Sequence, residues 1–212
     1  MWYVDSVGLV KTPRGLTIDG IQHPRNIFTQ WSKAELAAIG IKPASITAVD
    51  TRYKNTGALT WDTSGEEAVG TYATTDKAAA DLKTEMKASV NSQAASSLSG
   101  SDWMHLREGD GGTAMPADWK TYRIAVRTTA NAKETEIAAL ADIAAVKLYE
   151  NHPVTYTRKT YDEAAETWGS PNVTTNTTVN KVNWTDEGGH ADSWPIAPDH
   201  EADPSFVSVA NT

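Results

Sequence analysis

Short apolar runs cut by Gly and Pro open the chain, and a sparse helical stripe follows them. Gly8-Leu9-Val10 and Leu16-Thr17-Ile18-Asp19-Gly20-Ile21, punctuated by Pro13-Arg14-Gly15 and Asp19-Gly20, alternate as strands and tight turns do and predict a hairpin. Ser32-Lys33-Ala34-Glu35 has the spacing of a capping box, in which the serine hydroxyl accepts a backbone N–H and the glutamate reaches back. The helix it opens is short, because Gly40 follows Ile39 and suits the left-handed end of a helix. Ile41 to Asn55 reads as extended. Gly57 to Thr74 is polar, with Trp61 and Tyr72 its large apolar groups, and reads as a hairpin or loop.

From Asp76 to Leu98 the period changes to that of a helix. Leu82, Met86 and Val90 recur every fourth residue, and Ala79, Ala94 and Leu98 extend the stripe. Ser99-Gly100-Ser101 is expected to stop it, with Asp102 to Arg107 a short extended run and Glu108 to Thr113 a loop. Pro116 is placed to open a second helix carrying Trp119, Tyr122 and Val126 on one side, and Asp142 to cap a third that ends at Asn151-His152-Pro153. This predicts an antiparallel helical hairpin whose connector packs back through Trp103 and Trp119. Two such thinly apolar helices bury little by themselves, so another chain is expected to complete their faces.

Val154 to Tyr161 alternates like a strand, and Asn172 to Trp184 is a Thr, Asn and Val stretch of similar character. Asp186 to Thr212 is acidic and Pro-containing and reads as an extended arm. The expected class is therefore α+β, with a β-rich module over 1–74, a helical hairpin over 75–150, and an extended β-like segment with an arm over 151–212.

Composition narrows the function. Hydrophobic residues make up 40% of the 212, Ala and Thr together about a quarter, and there are eight Trp against two Phe. The core is thin and leans on tryptophan. A formal charge of −8 argues against a phosphate-backbone binder. The absence of cysteine excludes a disulfide framework, a thiol nucleophile or Cys-ligated metal. No apolar run approaches the ~20 residues of a membrane span, and the start of the chain has neither a charged leader nor an apolar stretch, so no secretory export is expected.

No phosphate loop, dinucleotide fingerprint, nucleophile elbow or His-Glu-x-x-His pattern occurs. Asp186, Glu187, His190, Asp192, Asp199, His200, Glu201 and Asp203 carry ligand-type side chains, but their spacing fits no cation loop, and a solvated acidic arm is expected; neither metal nor cofactor is assigned. His105 reads as a hydrogen-bonded structural side chain, and His23 and His152, each before a proline, as turn residues. Three Asn-x-Thr sequences, at Asn172, Asn176 and Asn183, match the glycosylation acceptor pattern and carry little weight without an export signal. Arg123 and Arg127, one helical turn apart, are placed to clamp a partner's carboxylate, or to form a solvated face paired with Glu134 or an acidic neighbour. Trp184 and Trp194 lie in polar sequence with no local core, and are expected to anchor the arm in a partner's pocket. The residues assigned to partner binding are thus Trp103, Trp119, Tyr122, Arg123, Arg127, Trp184 and Trp194.

Two stretches carry a resemblance. Leu16 to Phe28, followed by Trp31-Ser32-Lys33-Ala34-Glu35-Leu36, Gly40-Ile41 and Asp50-Thr51-Arg52-Tyr53, resembles the N-terminal module of small tail-region proteins of tailed bacteriophages of marine and cyanobacterial hosts. Asp102-Trp103, Arg107, Pro116-Ala117-Asp118-Trp119, Tyr122-Arg123 and Val126-Arg127 are similar to a segment of phage tail assembly chaperone and tail-fibre-associated proteins. The resemblance implies a non-enzymatic structural component of a phage tail, a fibre-attachment or adaptor subunit. It would be assembled in the host cytoplasm, retained in the virion, and oligomeric among other tail or fibre proteins. A transient assembly chaperone is the alternative. An enzyme acting on a host-surface polymer through Asp62, Glu66 or Glu67 beside Trp61 and Tyr72 is the third reading. The likeness ends near residue 150, beyond which the arm is longer than the family's short ending, with Ser193-Trp194-Pro195 as its counterpart.

Overall fold

The computed structural model describes residues 1–201 and 203–210, with side chains for all of these but 172, 173 and 208–210. The chain is of the α+β class and forms two compact units, Met1–Lys77 and Ala78–Thr212. Residues 75–150 and 151–212, distinct in composition, lie mostly within the same second unit.

In the first unit β1 (Trp2–Val4) and β2 (Gly8–Val10) form one hairpin, and β3 (Leu16–Ile18) and β4 (Ile21–His23) a second. Where the sequence suggested one hairpin there are two. Asp19 and Gly20 both take positive φ, 49° and 82°, so this two-residue turn can match the twist of its strands. Helices α1 (Ile27–Gln30) and α2 (Lys33–Ala38) follow, and then β5 (Ile41–Ile46), β6 (Lys54–Asp62) and β7 (Ala68–Asp76). The larger sheet has the order β2-β1-β5-β7-β6, antiparallel except between β5 and β7. Val4, Val10, Leu16, Ile18, Ile27, Phe28, Leu36 and Ile41 make its core.

The capping box of α2 forms in full. Ser32 Oγ accepts from Glu35 N at 3.3 Å, and the Glu35 carboxylate accepts from Ser32 N at 2.7 Å, which holds that carboxyl below the usual range. Ser32→Ala is expected to cost the first unit about 1 kcal/mol, read as a lower denaturant midpoint for that unit. An unchanged midpoint would show that the box is decorative.

The second unit begins with α3 (Ala79–Gly109), a single helix through the expected stop at Ser99-Gly100-Ser101. Gly100 costs a helix interior only about 1 kcal/mol. The flanking serines stay helical by donating back to the chain, Ser99 Oγ to Ser96 O at 2.8 Å and Ser101 Oγ to Leu98 O at 2.9 Å. Tertiary packing decides the matter, because Ser101 is fully buried. The stretch from Asp102 to Arg107, expected to be extended, is therefore helical. Asp110 to Pro116 forms the turn, with Gly111 at φ 79°. Pro116 caps α4 (Ala117–Ala139), and the Asp142 carboxylate caps α5 (Ile143–Glu150) by accepting from Ala145 N at 2.9 Å.

Helices α3 and α4 are antiparallel. Lys83 Nζ donates to Ala138 O and Leu140 O at one end, Asn91 Nδ2 to Glu134 in the middle, and Lys120 pairs with Glu108 at 2.6 Å at the other. Leu82, Met86 and Val90 of α3, Val126, Ala130 and Ile137 of α4, and Val146 of α5 supply buried apolar side chains. Three strands complete the unit: β8 (His152–Asp162), β9 (Thr167–Val179) and β10 (Phe206–Ala210), in the antiparallel order β10-β8-β9.

Candidate functional site

The residues expected to meet a partner fall into two groups, separated by what the chain itself covers. At the loop end of the hairpin, Arg123 is buried and fully engaged. Its Nη1 donates to Leu98 O at 2.9 Å and Ser101 Oγ at 2.6 Å, and its Nη2 meets Asp102 Oδ1 at 2.8 Å. A planar guanidinium with several donors can satisfy such a cluster, and here it pins the last turns of α3 to α4. The expectation that Arg123 clamps a partner's carboxylate is therefore corrected: its carboxylate is Asp102 of the same chain. Tyr122 is also buried, donating to Ser97 O at 3.3 Å, with the half-buried Trp119 edge-on at 5.7 Å. Arg127, one turn beyond Arg123, is exposed.

Trp103 does not pack back. It lies on the side of α3 away from α4 and is 53% exposed, with the Arg107 guanidinium over its ring at 4.9 Å. One turn on, Leu106 is 66% exposed. Ile124 is 63% exposed and lines a groove of about 320 Å³ with His105, Met115, Lys120 and Arg127. Sequence reasoning missed Leu106 because an assumed extended run at 102–107 hid its place on a helical surface; Ile124, on a helix that was expected, was passed over because it lies off the Trp119, Tyr122 and Val126 stripe.

The second group, Trp184 and Trp194, is not available to a partner. Both are buried, Trp194 to 1% exposure. Trp194 Nε1 donates to Val182 O at 2.8 Å and Trp184 Nε1 to the Tyr156 hydroxyl at 3.1 Å, so each ring is closed in with its one polar atom satisfied. Their segments join where Trp194 N donates to Trp184 O at 2.8 Å, and His190 stacks against Trp184 at 4.7 Å. The supposed arm is thus a folded loop with its own small core, and β10 returns to β8 after it. The physical reason is a helix face of the same unit. Lys133 of α4, itself buried, donates to Lys181 O at 2.6 Å and Asp192 O at 2.8 Å, with its ammonium 5.8 Å from the Trp194 ring.

Burial, with help from the nearby Lys181 charge, pushes the Lys133 ammonium down to about 8. Burial and the Glu136 carboxylate push the Tyr149 phenol up. Lys181 itself pairs with Glu136 at 3.2 Å and Asp192 at 3.8 Å.

The acidic side chains of this loop are largely spent on turns. Asp186 Oδ2 accepts from His190 N at 2.8 Å, and Asp203 Oδ1 accepts from Ser205 Oγ and N at 2.6 and 2.8 Å, which holds Asp203 below the usual carboxylate range. Asp199 meets its neighbour His200 at 3.1 Å. Among the described residues no three acidic or histidine side chains are grouped to hold a metal ion. An open cavity of about 660 Å³ lies between this loop and the hairpin, lined by Tyr122, Trp194, Pro195, Ile196, Glu187 and Glu201 among others.

The carboxylates suggested for polymer cleavage sit in the first unit. Asp62 Oδ1 accepts from Ser64 N at 2.9 Å and Ser64 Oγ at 2.7 Å, closing the turn between β6 and β7 and lowering the carboxyl. Trp61 packs on Tyr3 at 4.9 Å and against Gly70, while Glu66 and Glu67 are exposed on the same turn. This is the chemistry of a hairpin tip. Among the described residues no helix is long and apolar enough to cross a membrane. Compared with known proteins, the chain matches no protein-family model, no curated protein and no solved structure.

Proposed function

We propose that the chain is a non-enzymatic structural component of a bacteriophage tail, a fibre-attachment or adaptor subunit that associates through its helical hairpin. The reading rests on the resemblance of the two sequence stretches described above. One observation supports it physically: Trp103 and Leu106 stand uncovered on the outer side of α3, at 53% and 66% exposure. Exposed apolar groups one helical turn apart on a firmly braced helix are what a packing surface offers. Arg123 braces the helix from the inside, and Trp103 and Leu106 face outward.

Two measurements test this. Mass spectrometry of purified virions is expected to find the chain in mature particles; its absence there would leave the transient assembly chaperone instead. Leu106→Glu is expected to weaken association with the tail or fibre partner at least tenfold, since a charge at a desolvated contact costs more than a rim contact gains. Unchanged association would move the interface off the hairpin.

A further inference from the structure

Strand β9 ends its sheet: β8 lies on one side, and among the described residues no strand lies on the other. Such an edge is a template for another strand, and proteins usually guard it with charge, Pro or a bulge. From Val173 to Val179 none of these guards is present. No charged residue occurs from Thr167 to Val179, the one proline is Pro171, and the register against β8 is unbroken from Val173↔Arg158 to Val179↔His152. The side chains of Thr174 to Thr178 are exposed throughout, so neither face of the strand is covered there.

The sequence of this edge reads the same in both directions. Asn172-Val173-Thr174-Thr175-Asn176-Thr177-Thr178-Val179-Asn180 is a nine-residue palindrome centred on Asn176. Two copies paired antiparallel about a twofold axis at Asn176 set like against like: Thr175 opposite Thr177, Thr174 opposite Thr178, Val173 opposite Val179, and Asn172 opposite Asn180. Thr–Thr and β-branched pairs are favourable directly across an antiparallel ladder. A twofold contact requires a surface complementary to itself, and this strand has that property residue by residue. We propose that the β9 edge is a homodimer interface in which two chains join their sheets, β9 to β9, in the register centred on Asn176. The inference stands apart from the tail reading, since it uses neither the resemblance nor the hairpin.

The absence of cysteine makes the register testable. In an antiparallel ladder directly opposed Cα atoms are about 4.5 to 5.5 Å apart, within disulfide reach. Asn176→Cys is expected to cross-link to a covalent dimer under mild oxidation. Thr175→Cys mixed with Thr177→Cys is expected to cross-link at least tenfold faster than either variant alone. Thr60→Cys, on an exposed position of the first unit, is the control.

Sedimentation of the full chain is expected to show a species of twice 22.9 kDa that Asn176→Lys reduces to a folded monomer with the circular dichroism of the wild type, because two lysines would meet on the axis. Leu106→Glu is expected to leave this dimer intact, so failure of the hairpin reading and failure of this one are separable. A monomeric wild type at 100 μM would overturn the proposal. So would a dimer that survives Asn176→Lys, or Asn176→Cys cross-linking no faster than the control.

Discussion

Trp194→Ala is expected to destabilise the second unit by about 3–5 kcal/mol, the range for removing a large buried aromatic. In a unit of this size that is a fall in melting temperature on the order of 10 °C. The ring is fully enclosed and its indole N–H donates to Val182 O at 2.8 Å, so the substitution loses packing and orphans a carbonyl together. Trp194→Phe keeps most of the ring and is expected to recover more than half of the loss. Thermal unfolding of the isolated chain is the measurement. An anchor made for a partner's pocket would leave that melt unchanged, and a shift under about 2 °C would restore that reading.

The second large effect is expected at Lys133. Lys133→Met keeps the length of the side chain but leaves Lys181 O and Asp192 O without their donor, at about 1–3 kcal/mol for each carbonyl that water does not reach. It also changes the pH profile in a defined direction. Because burial lowers the folded pKa of Lys133 from 10.5 to about 8, the unfolded chain binds more protons between those values, and stability from this group rises with pH across that window. Tyr149 acts in the opposite sense. Its folded pKa is raised above 10, so its contribution is complete below pH 10 and is lost as pH rises beyond. The wild type is therefore expected to gain stability from pH 8 toward pH 10 in denaturant titrations, and the Lys133→Met variant to show no such gain. Parallel profiles would mean that the ammonium is not desolvated in the folded chain.

Local signals in the sequence carried much of this fold. Ser32 with Glu35, Gly40, Pro116 and Asp142 each marked a helix end through chemistry that needs only near neighbours, and each sits where that chemistry acts. The strand alternation from Val154 to Tyr161 was legible for the same reason. What failed was decided at a distance. Ser99-Gly100-Ser101 is a plausible stop until Arg123, more than twenty residues on, reaches Ser101. Trp184 and Trp194 stand in mostly polar sequence, and their enclosure depends on Lys133 of α4 and Tyr156 of β8. The partner-binding set was only partly legible: Trp103 and Arg127 are exposed, Trp119 is half-buried, and Tyr122, Arg123, Trp184 and Trp194 serve the chain's own interior.

The unbroken path of α3 through Gly100 has a consequence for how the helix is held. Gly100 is among the least favourable residues for the helical state in this 31-residue helix. The segment before it is held by Leu82, Met86 and Val90, whereas the turns after it are held by polar contacts, Arg123 with Ser101 and Asp102 and Lys120 with Glu108. The two segments therefore differ in what holds them shut, apolar burial before Gly100 and polar contacts after it. The apolar surface of Trp103 and Leu106 is thus carried by the segment that the Arg123 guanidinium fastens.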